Sequence, residues 1–180
     1  MRDPEPKFLQ FEVRGLAIDR SANAPILLLQ DVGGRVVLPI WIGPAEAGAI
    51  ATALEGRQLP RPMTHDLIMT LIDELGAQMV GLDVRALDEG TFKGTLRLER
   101  AGQPLTIDCR PSDGVAMAVR AKAPIRVAAE VLHKASPLAP DTPPAREPPP
   151  SQFSADQQRA ADMSAKLAAM DRDDFGDYEM

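Results

Sequence analysis

The stretch from Ile107 to Arg120, IDCRPSDGVAMAVR, gathers Asp108, Arg110, Ser112 and Asp113 within six residues. Strand alternation puts Leu105, Ile107 and Cys109 on one face and Thr106, Asp108 and Arg110 on the other. Two carboxylates and a guanidinium converging at a strand end suit a hard cation or a phosphate group. The same residues also make an ordinary helix start. Pro111 stops the ladder, Ser112 can cap the helix, and Asp113 sits by its positive N-terminus. Both readings stand on the residues alone.

Two further polar positions share an apolar helical face. Glu46 precedes Ala49, Ile50 and Ala53 by three, four and seven residues, so its carboxylate is either buried with a partner or lines a cleft. His65 stands in the same relation to Ile68, Met69 and Ile72. Beside Asp66 at a helix start, it could serve acid–base or metal chemistry, or simply be a hydrogen-bonded structural residue. Arg57 and Arg61 flank the preceding connector and read as solvated charges. Cys109 is the single cysteine, which excludes an intrachain disulfide and reads as a small buried strand residue. There is no phosphate-binding Gly-rich loop, no nucleophile elbow and no paired-His metal helix.

The elements that must position these groups follow from turn chemistry and periodicity. Residues 8–18 read as a strand. ILLLQDV and RVVLPIWIG form a hairpin about Gly33-Gly34, and Pro39 indicates an edge or a bulge. Helices are predicted over 44–56, with Pro first and Gly last, and over 64–76, with Thr64 as N-cap. Leu67, Ile68, Leu71, Ile72 and Leu75 would form the second helix's apolar stripe. QMVGLDVRAL, TFKGTLRLER and QPLTIDCR then give a three-strand meander. A junction helix over 112–121, a short strand and a terminal helix complete an α+β domain. It is a largely antiparallel sheet, hairpin plus meander, with about four helices packed on it.

The charge is divided unevenly. Residues 1–135 hold 16 Lys+Arg against 17 Asp+Glu, whereas residues 136–180 hold 4 against 9. The acidity therefore belongs to the C-terminal part, and a nearly neutral domain can bind nucleic acid only through a local basic patch. Residues 1–135 are taken as the domain. Residues 136–180 are taken as a Pro-rich linker and an acidic, disordered tail, with a capping-box start at Ser154 and Gln157 for a marginal helix. No secretory h-region precedes the domain and no run approaches 18 apolar residues, so the expectation is a cytoplasmic protein without a membrane partner.

The ordered set LPIWIGPAEAGAIATALEG, RPMTHDLIMTLIDELGA, GTFKGTLRL, IDCRPSDGVAMAVR and APIRVAAEVL resembles the bifunctional nuclease (BFN) domain family, from about Phe8 to Ala135. Trp41, Gly43, Glu46, Ala47, Arg61, Pro62, Thr64, His65, Asp66, Asp108, Arg110, Pro111, Ser112 and Asp113 match its shared pattern. Gly114-Val115 departs from the Ala-Ile usual there. The resemblance implies a nuclease acting on RNA and DNA. Its metal-assisted form would use Mg²⁺ or Mn²⁺ on Glu46, Asp66, Asp108 and Asp113. His65, Asp66, Arg110 and Asp113 would be catalytic, with Arg61, Arg110 and Ser112 holding substrate. The alternatives are a non-catalytic anion- or partner-binding regulatory module, and polar groups that only cap helices and fix strand ends. Nucleic acid, a second copy of the chain and an unidentified protein bound by the tail are the partners expected.

Overall fold

The computed structural model describes residues 7–88 and 91–135, all within one unit. The expected linker and acidic tail, residues 136–180, lie outside the described residues. The described residues form seven strands and four helices in the order β1 (Phe8–Asp19), β2 (Ala24–Asp31), β3 (Val37–Trp41), α1 (Pro44–Leu54), α2 (Thr64–Glu74), β4 (Ala77–Asp88), β5 (Thr91–Arg100), β6 (Gln103–Cys109), α3 (Pro111–Ala121), β7 (Ile125–Ala128) and α4 (Ala129–Lys134).

The strands make one sheet in the order β3-β2-β1-β7-β4-β5-β6. The α+β reading, the hairpin and the meander are all present. Asp31 closes the β2–β3 turn by accepting the Arg35 and Val36 backbone N–H groups at 2.6 Å. Pro39 lies on β3, an edge strand, where its missing donor costs least. Trp41 ties that edge back to β1, its indole N–H donating to Asp19 at 3.1 Å.

β7 turns two three-stranded pieces into one sheet. It pairs antiparallel with β1, Phe11 opposite Ile125, and parallel with β4, Leu82 opposite Ile125 and Val84 opposite Val127. Its sequence, IRVA, suits a central strand because three of its four residues are buried. Leu27, Leu29, Leu38, Ile40, Leu82, Val84, Leu96, Ile125 and Val127 join the same core as Ile50 of α1 and Val115 of α3. Each such side chain contributes roughly 1.5–3 kcal/mol by leaving water. α1 and α3 are rich in small residues, PAEAGAIATAL and PSDGVAMAVRA, and they approach each other closely. That approach brings their N-termini together.

Several expectations need correction. Met63, not Thr64, is the N-cap of α2, and its N–H donates to Asp66 at 2.8 Å. Arg110 is the N-cap of α3, so Ser112 lies inside the first turn, buried, with no capping bond from its hydroxyl. The α2 stripe is split. Ile68 and Ile72 pack inward, while Leu67, Leu71 and Leu75 are more than half exposed, because the stripe is wider than the face the sheet covers. Likewise Leu105 and Ile107 lie opposite buried Leu98 and Leu96 yet remain exposed, since β6 is the sheet's outer edge.

Candidate active site at three helix N-termini

α1, α2 and α3 each carry an acid in the first turn: Glu46, Asp66 and Asp113. A carboxylate there faces unsatisfied backbone N–H groups and the positive end of the helix dipole. Gly43 makes room for the first of them, because a Cβ at that position would collide with the Glu46 carboxylate.

The fold joins these turns through Arg110. Its Nη1 lies 2.8 Å from Glu46 Oε1, its Nε donates to Asp113 Oδ2 at 2.7 Å, and its Nη2 donates to Asp113 Oδ1 at 3.0 Å. Asp113 Oδ1 also lies 3.2 Å from His65 Nε2. Glu46, His65 and the Arg110–Asp113 pair, drawn from three separate segments of the sequence, thus form one connected chain. His65 is nearly buried, whereas the Arg110 side chain is 66% exposed, so the chain runs from interior to solvent.

The charges are mutually supported. Burial acts to raise the Asp113 carboxyl, but its contacts with Arg110 and His65 outweigh this and hold it below the ordinary carboxylate range. Asp113 and Glu46 in turn raise the Arg110 guanidinium above its usual value, so it stays charged. The Cys109 thiol is pushed up to about 11 by burial, which fits an unreactive strand residue rather than a nucleophile.

Asp66 belongs to a neighbouring arrangement that sequence reasoning missed. Arg120 Nε meets Asp66 Oδ1 at 2.5 Å, and Nη1 donates to the carbonyls of Ala49 and Ala116 at 3.1 and 2.8 Å. One guanidinium therefore clamps α1, α2 and α3. The Arg120 hydrogen bond holds the Asp66 carboxyl below its ordinary value. The available signal was a lone cation in GVAMAVRA, which reads as a helix-end charge until the three helices are placed.

Two predicted residues are not brought in. Asp108 lies opposite Thr95, in the cross-strand row that continues to Asp83 and Arg126. That row faces away from the core side chains Leu82 and Leu96, so Asp108 and Asp113 sit on opposite sides of the sheet. Arg61 is exposed on the α1–α2 connector and makes no ion pair among the described residues. A cleft lined by Asp73, Gly76, Ala77, Gln78, Glu99 and Ala101 lies at the other end of α2.

This donor set does not fit a divalent metal as arranged. Arg110 occupies oxygens of both Glu46 and Asp113, Arg120 occupies Asp66, and Asp108 is on the far face. Among the described residues no group of three or more His, Cys, Asp or Glu side chains is disposed to hold a metal ion. A cation entering here would first have to displace Arg110.

The family model described as the bifunctional nuclease domain matches residues 27–139. Two Mycobacterium tuberculosis proteins, both named only as uncharacterized, are 42% identical over 132 residues, covering 73% of this chain and 79% of theirs. Bifunctional nuclease 2 of Oryza sativa subsp. japonica is 27% identical over 118 residues, 63% of this chain and 36% of its own length. Bifunctional nuclease 2 of Arabidopsis thaliana is 26% identical over 110 residues, 59% and 33% respectively. The match thus spans about a third of each plant protein.

Proposed function

The chain belongs to the bifunctional nuclease domain family, and from that premise we propose that it is a cytoplasmic nuclease hydrolysing phosphodiester bonds at the Glu46–Arg110–Asp113–His65 chain. The observation that carries this reading is a solvent-exposed guanidinium bonded to acids at two helix N-termini and linked through the part-buried Asp113 to the nearly buried His65 at a third. A phosphate suits such a place, because backbone N–H groups and helix dipoles favour negative charge. Arg110 has five N–H donors and would hold the phosphate by a fork, exchanging part of its contact with Glu46 for the substrate.

His65 supplies the proton transfer. With its Nε2–H turned to Asp113, Nδ1 carries the lone pair that takes a proton from the attacking water. Asp113 orients the ring and stabilises the imidazolium that forms, as carboxylates do in other acid–base pairs. Asp66 and Arg120 act at a distance from the phosphate, keeping the three helix starts in register. Among the described residues no helix is long and apolar enough to cross a membrane.

One observation favours a binding module instead: each carboxylate of the cluster already has an arginine partner. The test is cleavage of single-stranded RNA and DNA by the full chain and by His65→Ala, with added Mg²⁺ or Mn²⁺ and with chelator. We expect cleavage by the wild type and a loss of about 10²-fold or more in the variant. Equal cleavage by both proteins places the chemistry elsewhere. Binding without cleavage by either supports the module.

A further inference from the structure

A second ionic cluster lies on the opposite face of the sheet. Asp83 of β4 is fully buried, yet three arginines from three strands converge on it. Arg126 of β7 donates from Nε to Oδ1 and from Nη2 to Oδ2, both at 2.8 Å. Arg97 of β5 brings its Nε to 3.0 Å from Oδ1, and Arg85 of β4 donates to Oδ2 at 3.3 Å. Gly81 leaves room beside them, because a Cβ there would meet the Arg97 guanidinium and come within 3.0 Å of the Pro124 carbonyl oxygen. The Phe8 ring lies under Arg126 and Arg85, with centroid distances of 4.7 and 5.4 Å.

The ratio matters. Asp83 is the only carboxylate paired with these three guanidiniums among the described residues, so three positive charges meet one negative. Arg126 alone makes the bidentate fork that a structural ion pair needs. The other two add like charge in a half-buried place, which costs stability unless an anion completes the set. Arg97 Nε is buried without a well-formed hydrogen bond, although it lies close to Asp83. Arg85 and Arg126 remain 45% and 35% exposed, so each guanidinium reaches solvent with N–H groups beyond those it gives to Asp83.

We propose that Arg85, Arg97 and Arg126, set in place by Asp83 and Phe8, form a phosphate-binding surface for the backbone of single-stranded nucleic acid. The proposal rests on the nuclease reading, because it supplies the hold on substrate beyond the phosphate at Arg110. At the usual strand spacing, β4 and β6 are about 10 Å apart. A strand bound at Asp83 reaches the β6 edge within a few nucleotides, and Arg110 follows directly on the end of β6. Three arginines around one carboxylate provide a local basic patch of the kind a nearly neutral domain needs to bind nucleic acid.

The test is fluorescence anisotropy on the full chain with labelled twelve-residue oligo-dT and oligo-U over a range of salt. Arg85→Gln is the informative variant, since Arg85 is the most exposed of the three and makes the longest contact. It should weaken binding about threefold to tenfold and reduce the slope of log affinity against log salt by about one. Arg85→Lys should restore most of both, and Arg57→Gln, a distant exposed arginine paired with Glu55, should change neither. Wild-type affinity and slope in Arg85→Gln would overturn the proposal, as would an equal loss in Arg57→Gln or an absence of wild-type binding. Binding that depends on Arg85 without any cleavage sinks only the catalytic reading. Cleavage that persists with Arg85-independent binding sinks only this surface.

Discussion

The two faces of the sheet carry ionic clusters built to opposite plans. At the helix N-termini, acids outnumber arginines: Glu46, Asp66 and Asp113 against Arg110 and Arg120, with His65 at the inner end. On the open face, three arginines share Asp83. In the first cluster helix dipoles help to stabilise the acids, so they need less countercharge. In the second, among the described residues, the ion-pair partners of the buried carboxylate are guanidiniums alone. The first is suited to moving protons beside a phosphate, the second to holding phosphates still.

That contrast can be broken most severely at Asp83. Asp83→Ala leaves three partly buried guanidiniums without their shared partner and should cost about 3–5 kcal/mol in urea unfolding. A loss below about 1 kcal/mol would mean that the arginines rearrange freely, and that Asp83 does not organise them. The corresponding cut at the helix side is smaller. Arg120→Ala removes two carbonyl bonds and an ion pair with the partly exposed Asp66, and should cost about 2 kcal/mol after discounting for exposure. It should also change the acid response. Because Arg120 lowers the folded-state Asp66 value, that contribution is present above the unfolded value of about 3.9. It is lost as the pH falls through the lower folded value, and the variant should lack this component in a pH series of unfolding curves.

The smallest effect sharpens how closely α3 seats on the sheet between the two clusters. A Cβ at Gly114 would come 2.4 Å from Leu82 Cδ1. Gly114→Ala gains about 1 kcal/mol of helix propensity and meets an overpacking cost of about 1–3 kcal/mol. A net loss of roughly 0–2 kcal/mol is expected, measured by thermal unfolding. Clear stabilisation would show that Leu82 yields without cost.

Local chemistry was legible from residue types. Gly33-Gly34, Pro39 and the strand-to-helix junction at Pro111 announced the hairpin, the edge and the start of α3. The odd placement of Glu46 and His65 on apolar stripes pointed to the cluster that Arg110 joins. Pairings across long separations were not legible. β7 looks like any short strand until it enters between β1 and β4. Arg126 meets Asp83 across 43 residues, with nothing local to mark it. Alternation also misled at Asp108. It holds while the strand lasts, but Arg110 is already the helix cap, with φ −69° and ψ 143°, and its side chain turns to the helix side while Asp108 stays on the other.

The division of labour between the two faces is tested most directly by measuring oligonucleotide affinity and the single-turnover cleavage rate at saturating enzyme on the same preparations of wild type, Asp113→Asn and Arg85→Gln. The account predicts that Asp113→Asn lowers the rate by about 10²-fold or more with binding within about threefold of wild type. Arg85→Gln should lower affinity and leave the saturated rate unchanged. If both variants lose rate and affinity together, or if Arg85→Gln alone stops cleavage at saturation, the separation of chemistry from holding is contradicted.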